Sequence, residues 1–383
     1  MSKPRILYFI DDFESEVGGT EQNLVWLLNR IPEDEFEKHF LVFSTVWACD
    51  PEKLPIVPRR LAEEFGFGWK TWRRRIREAG KFIEKNQIDL VHVVTTYSEL
   101  AATLSSLAGG RRVNLLANRR DIGYHWTWRG KMVSRFVQKF GTHYIANSEA
   151  ARQAAHRLEG IRLDRIEVIR NPISELRYQE GMADPLPRNE TLPNVSKDAK
   201  IVGMLASVRP IKDHVSLLHA AVKILERNPN TIFLMVGDTE HAYQNEMADL
   251  AEKLGVAENI VWYGPCPNPY RILPLFDVAV LSTHSESFSN AVLEYAASGR
   301  AIVVSNVGGL GELVKHEETG LLVPPESPDD LAAAINRLLE NDELRNKFGA
   351  AAKHFAFAEF QEQKILGQYV DLYHRLTKSE HEA

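Results

Sequence analysis

Short apolar runs recur along this 383-residue chain, each bounded by polar turn residues and followed by a stretch with helical spacing. That alternation reads as parallel strands in βα units. The first half offers "RILYFI", "HFLVFST", "LVHVVT", "VNLLAN", "THYIANS" and "IEVIRN". The second offers "KIVGMLAS", "TIFLMVG", "NIVWYG", "VAVLST", "AIVVSNV" and "GLLVP". Between the two sets the pattern lapses into a Pro-, Asn- and charge-rich tract that reads as an interdomain link. The length exceeds what one core fills comfortably, so two doubly wound α/β domains are predicted. Their bounds are 1–171 and 200–358, with the linker at 172–199 and a last helix near 359–378 expected to cross back to the first domain. Ligands of such sheets sit beyond the carboxyl ends of the strands, so two facing sheets are expected to create a cleft.

The 44% hydrophobic and 26% charged fractions fit a soluble globular protein, and no apolar run is long enough to span a bilayer. "MSKPRILYFIDD" meets acid after a few apolar residues, which predicts a buried strand and not a secretory signal. Cys49 and Cys266 make neither a disulfide framework nor a metal spacing, as expected in a reducing cytoplasm. Charge is unevenly divided: 27 Lys/Arg against 22 Asp/Glu through Asn171, then 19 against 30. The first half is the one suited to anionic partners.

One stretch carries chemistry: "HSESFSNAVLEYAASGRAIVVSNVGG", residues 284–309. Glu286 lies in the loop after the strand "VAVLST", and a helix is predicted from about Ser287, Phe288, Ser289 and Asn290 to Gly299. Val292, Leu293, Ala296 and Ala297 form its buried stripe, with Glu294 outside it. First-turn amides make an anion site, and a carboxylate on each side suits sugar hydroxyls, for which it is a bidentate acceptor. Phosphate between two polyols describes a nucleotide sugar.

The same stretch, continued through "TGLLVPPESPDDLAAAI", resembles the C-terminal signature of the retaining GT-B glycosyltransferases of family 4. "VGGTEQNLVWLLNRI", "YIANSEAAR", "VIRNPI" and "RPIKDHVSLLHAA" resemble further motifs of that family, in the same order. The resemblance implies a GT-B fold, with Glu286 on the transferred sugar, Glu294 on the nucleotide ribose, and the amides of Ser287, Phe288, Ser289 and Asn290 on sugar and diphosphate. It implies that Lys212 neutralises the departing diphosphate, with Arg209 as a second phosphate candidate and Gly18 and Gly19 as a close-approach loop. The chain departs from the pattern at Ser207, where many members carry an arginine. It departs again at "ANRRDIGYHW", where members often carry a histidine facing the reactive carbon. Arg120, Asp121, His125 and His92 compete for that acceptor-side place, although His92, inside a strand, reads as a core histidine, and His284 reads equally as structural. The retaining mechanism lets the departing phosphate take the acceptor's proton.

No Asp-x-Asp motif or metal spacing occurs, so no metal or cofactor is expected, and the co-substrate is a nucleoside-diphosphate sugar of UDP or GDP type. The expected acceptor is a saccharide or a lipid-linked saccharide in surface or exopolysaccharide assembly. Two segments, Arg59 to Lys85 with Trp69 and Trp72, and Arg111 to Lys139 with Trp126 and Trp128, combine tryptophan with Lys and Arg. That composition suits an anionic membrane surface, and so a cytoplasmic protein peripheral on the inner face. Nucleic acid is not expected: no recognition motif is present and the chain is acidic overall. Two rival readings are a nucleotide-sugar epimerase on the same fold, which would release an altered sugar nucleotide, and a non-catalytic nucleotide-sugar binder.

Overall fold

The computed structural model describes residues 3–13, 19–43, 54–61, 68–96, 98–110, 113–123, 127–238 and 241–378. They form two compact units, Met1–Asn171 with Gln363–Ala383, and Pro172–Glu362.

The first unit runs β1 (Arg5–Ile10), α1 (Gly19–Arg30), β2 (Glu37–Val42), β3 (Arg59–Arg60), α2 (Trp69–Lys85) and β4 (Leu90–Val93). It continues through α3 (Ser98–Ala108), β5 (Asn114–Arg119), α4 (Trp128–Val137), β6 (His143–Ala146), α5 (Glu149–Glu159) and β7 (Ile166–Val168). Its seven-stranded parallel sheet has the order β3-β2-β1-β4-β5-β6-β7. Side chains alternate across the pleat: Ile6, Tyr8 and Ile10 of β1 enter one core, Leu7 and Phe9 the other. Local signals set the helix ends. Ser148 caps α5 by accepting from the Ala151 amide at 3.0 Å, and the helix stops at the left-handed Gly160.

The second unit opens with α6 (Glu175–Ala183) and α7 (Arg188–Thr191), followed by β8 (Lys200–Leu205), α8 (His214–Arg227) and β9 (Thr231–Val236). Next come α9 (His241–Lys253), β10 (Ile260–Gly264), β11 (Val278–Leu281), α10 (Asn290–Ala297) and β12 (Ala301–Ser305). It ends with α11 (Leu310–Leu313), β13 (Leu321–Val323), α12 (Pro328–Leu339) and α13 (Asp342–Glu359). Its six-stranded parallel sheet has the order β10-β9-β8-β11-β12-β13. The last helix, α14 (Glu362–Lys378), lays Ile365, Tyr369, Leu372, Tyr373 and Leu376 into the first unit's core beside Leu24, Leu27 and Leu28 of α1.

Every strand expected from the apolar runs is present. β3 was not expected, and its two arginines carry no apolar signal. The 172–199 tract is not a bare linker. It contains α6 and α7, and Ile173 and Leu192 are buried in the second unit's core, where Tyr178, Met182 and Leu186 also pack. Ser327 makes no cap bond to α12; its hydroxyl donates to Asp330 Oδ2 at 2.6 Å.

Candidate functional site

At the carboxyl edge of the second unit's sheet, two loops are stitched together. One follows β8 and holds the 3-10 turn Pro210–Lys212; the other leads from β11 into α10. The Ser282 hydroxyl donates to the Asp213 carbonyl at 2.9 Å. The Thr283 hydroxyl (2.9 Å) and the His284 amide (3.0 Å) both donate to the Ile211 carbonyl. Hydroxyl-bearing residues thus satisfy carbonyls that the turn would otherwise leave unpaired. Asp213 takes the left-handed conformation (φ 51°), which Asp tolerates, and its Oδ1 accepts from the Ser216 amide to cap α8. Gly237, just past β9, fits only as glycine: a Cβ there would lie 2.0 Å from the Ala206 carbonyl oxygen.

This stitching brings together Lys212 and Glu286, which are 74 residues apart in the chain. The Lys212 ammonium donates to Glu286 Oε2 at 2.5 Å. The Gly309 amide donates to the Glu286 carbonyl, so the Gly-Gly loop after β12 fixes the same residue from behind. The field of Lys212 reaches its neighbour: burial chiefly, with Lys212 adding, pushes the His214 imidazole down to about 4. His284 stands at the rim, Nδ1 3.2 Å from Glu326 Oε1 and Nε2 3.8 Å from Asp213 Oδ1. Arg209 opens the 3-10 turn with its side chain exposed, close in sequence to Lys212.

The helix starts within the span expected for it. Ser289 is the cap, accepting from the Val292 amide at 3.3 Å, and Asn290 is the first helical residue. Ser287 and Ser289 are buried. Phe288 is a core residue whose ring meets Phe360 edge-on, so only its backbone is available to a ligand. Tyr295 pins the helix: its hydroxyl accepts from the Leu205 amide at 2.5 Å and donates to the Val280 carbonyl at 3.1 Å. Glu294 was expected outside the buried stripe, yet its side chain is only 12% exposed. Tyr295 fills the stripe beside Val292 and Leu293, and Arg177 of α6 stands over Glu294, Nη1 3.7 Å from Oε1. Burial pushes the Glu294 carboxyl up to about 7, with Arg177 opposing.

Two family models match the chain in succession, Glycosyltransferase Family 4 over residues 17–175 and Glycosyl transferases group 1 over residues 189–355. The chain belongs to the group 1, family 4 glycosyltransferases. It is 31% identical over 228 residues to a D-inositol 3-phosphate glycosyltransferase of Corynebacterium efficiens, a match covering 57% of this chain and 52% of that protein. It thus spans about half the length of the curated relatives it matches. A glycosyltransferase structure from Rickettsia africae superposes with a TM-score of 0.86 at 19% identity, covering 99% of this chain and 100% of that one. The Anabaena protein Alr3699/HepE, solved in complex with UDP, gives 0.81 at 20% identity, covering 96% and 99%. At these identities the likeness shows the fold, which is GT-B.

In this glycosyltransferase most of the residues expected on the donor side belong to the second unit; the Gly18 and Gly19 loop, also expected there, and the residues expected on the acceptor side belong to the first. Gly19 opens α1. Arg120 follows β5; its Nη2 donates to Asn23 Oδ1, and burial chiefly lowers its pKa, opposed by Tyr369 and Glu21. Asp121 builds a turn, its Oδ1 accepting from the Gly123 amide at 2.7 Å. His92 is a core residue: Nε2 donates to Asn118 Oδ1 (3.0 Å), so Nδ1 accepts from the Tyr373 hydroxyl (2.7 Å). That removes it from the acceptor-side candidates. Gly18, His125, Cys49 and Trp126 lie outside the described residues, as do parts of both basic segments.

Sequence reading missed Arg177, hidden in the supposed linker, although Tyr178 and Met182 stand four residues apart there, an apolar helical spacing. It also missed a polar cluster at the first sheet's carboxyl edge, where the Thr95 (2.6 Å) and Ser98 (2.9 Å) hydroxyls donate to Asp11 Oδ1. No motif marks those three residues. Among the described residues no group of His, Cys, Asp and Glu is placed to hold a metal ion, and no helix is long and apolar enough to cross a membrane.

Proposed function

We propose that this glycosyltransferase moves a sugar from a nucleoside-diphosphate sugar, of UDP or GDP type, to a saccharide or lipid-linked saccharide, with retention and with no metal or other cofactor. The observation that carries this is the Lys212–Glu286 pair beside the α10 N-terminus: a cation, a carboxylate and helix amides share one sheet edge. The diphosphate gains charge as the bond from the anomeric carbon to its oxygen breaks, and Lys212 with the helix amides stabilises it. Glu286 accepts from hydroxyls of the sugar and Glu294 from those of the ribose. The acceptor oxygen bonds the anomeric carbon on the same face, and its proton passes to the departing phosphate oxygen. Support comes from the relatives as well, one named for glycosyl transfer to an inositol phosphate and one solved with UDP.

Thermal unfolding with UDP, GDP, ADP and CMP, each with and without EDTA, tests the donor site. One nucleotide at 100 times its dissociation constant is expected to add about 2.7 kcal/mol, unchanged by EDTA. Loss of the effect in EDTA overturns metal independence. Release of an altered sugar nucleotide without acceptor would make the enzyme an epimerase instead.

We also assign it to the cytoplasm, in surface or exopolysaccharide assembly, with the first unit resting on an anionic membrane surface. On α4, Trp128 (66% exposed), Met132 and Phe136 (40%) form an outward stripe at i, i+4 and i+8. Arg129, Lys131, Arg135 and Lys139 flank the stripe, and 128–140 holds no acidic residue. Trp69, also exposed, stacks on Trp72 at the start of α2 under the Arg73 guanidinium. Both first turns lack an acidic residue, so cations and the positive helix end coincide, an arrangement that favours an external anion. The protein is expected to sediment with phosphatidylglycerol vesicles at low salt and to be released by salt. A Trp128→Ala/Phe136→Ala variant is expected to stay in solution. Wild type indifferent to the vesicles refutes the membrane assignment and leaves the donor site untouched.

A further inference from the structure

Glu294 and Glu286 are handled in opposite ways. Glu286 is directly bonded by Lys212, whereas the Glu294 carboxylate, among the described residues, accepts no hydrogen bond. Its oxygens are buried beside a cation that stops short. Arg177 Nη1 is 3.7 Å from Oε1, beyond hydrogen-bond range but close enough for a strong Coulomb interaction in a partly buried site.

The stand-off is built in. Arg177 Nη2 donates to the Pro267 carbonyl at 2.9 Å, and the Arg177 carbonyl accepts from Asn268 Nδ2 at 2.8 Å. One turn along α6, Gly181 lies so close to the 3-10 turn Pro269–Arg271 that a Cβ would fall 2.5 Å from Tyr270 Cβ. The helix is therefore seated on the segment after β10, and the guanidinium is held from behind.

We propose that Arg177 is a positioning residue for nucleotide binding: it keeps Glu294 ionised while leaving both carboxylate oxygens open to a pair of ribose hydroxyls. This rests on the reading that Glu294 takes the nucleotide ribose. A bidentate arginine would occupy the lone pairs that the hydroxyls need. With no cation, burial would protonate the acid, and a neutral carboxyl accepts fewer hydrogen bonds. The other titratable groups around Glu294 supply no counter-charge. Cys266 and Tyr270 after β10 and Tyr295 on α10 are all raised by burial and stay neutral, while Lys353 of α13 sits over the Tyr178 ring.

The sign of the pH dependence follows. Glu294 must be an anion to accept two hydroxyls, so affinity for the ribose falls as pH drops through about 7. Removing Arg177 removes the influence that lowers this pKa, and the fall then begins at higher pH. The test is calorimetric titration of the full chain from pH 6 to 9 with whichever of UDP, GDP and ADP binds best, and with its 2′-deoxy counterpart. Wild type is expected to prefer the ribonucleotide above about pH 7. In Arg177→Met the midpoint of that preference is expected to rise by about one pH unit, an affinity loss of about threefold at pH 7.5. Arg177→Lys is expected to return the midpoint toward the wild-type value. Arg177→Gln keeps a donor for the Pro267 carbonyl without the charge, and serves should the methionine variant not fold. A neutral variant whose pH profile overlays wild type overturns the proposal. A wild type that binds nucleotide with no ribose preference at any pH overturns the Glu294 assignment, and this proposal with it.

Discussion

Replacing Lys212 by alanine is expected to weaken nucleoside diphosphate binding by roughly 1.5–3 kcal/mol and to slow turnover by about 10²-fold or more. The two losses have one origin but different sizes. On the proposed assignment, the ammonium makes one charge-assisted hydrogen bond to the diphosphate in the ground state. As the sugar leaves, the phosphate gains charge and the same contact strengthens, so turnover suffers beyond binding. The variant also leaves Glu286 without its 2.5 Å partner, and an unneutralised carboxylate then faces the incoming phosphates. The backbone around Lys212 is held by Ser282, Thr283 and the His284 amide and not by the lysine side chain, so the fold is expected to survive. Calorimetry with the nucleotide and steady-state turnover with donor and acceptor measure both effects. Wild-type turnover in the variant would take Lys212 out of the mechanism.

Arg119→Leu is expected to cost about 3–5 kcal/mol of stability, the usual consequence of breaking a buried ion cluster from one side. Arg119 closes β5 with its guanidinium over the Tyr144 ring, donating to Glu159 through Nε (2.8 Å) and to Glu99 through Nη2 (2.8 Å). All three side chains are at most 3% exposed. The Ser134 hydroxyl adds a 2.5 Å bond to Glu159, so α3, α4 and α5 all converge on the end of one strand. Burial lowers the Arg119 pKa, but Glu99 and Glu159 outweigh it and hold the group above its usual value; burial chiefly raises Glu99 against the pull of Arg119. Leucine would leave two buried carboxylates with no cation, and would remove the influence that holds the Glu99 pKa down. A group raised on folding costs nothing below its unfolded value and destabilises as pH rises above it. The deficit of the variant is therefore expected to be smaller at pH 5 than at pH 8. Denaturant midpoints at both pH values test this, and a loss under about 1 kcal/mol at pH 8 contradicts the cluster's assigned role.

The strand positions were legible because buried parallel strands need unbroken apolar runs, and such runs stand out against polar turns. Lys212 and Glu286 were legible one at a time, through motif spacing. Their contact was not, because it depends on where two loops of one sheet edge converge. The Arg119, Glu99 and Glu159 cluster was illegible for a related reason: each residue alone looks solvated, and only the packing of three helices on β5 takes them from water together. Glu294 was misjudged because a helical wheel knows only its own helix, while the burial comes from α6. That helix lay in a tract whose prolines and charges read as a connection, and Arg177 went unnoticed with it.

The contribution of α14 to the first unit makes the order of synthesis matter. The second unit is continuous in the chain, so a ribosome completes it while the first unit still lacks one helix. Until the segment through Leu376 emerges, the sheet face beside α1 has no Tyr369, Leu372 or Tyr373 against it, and His92 has no hydroxyl to receive. The unit that begins first at the ribosome therefore finishes last, with an apolar face open to mispairing throughout the interval.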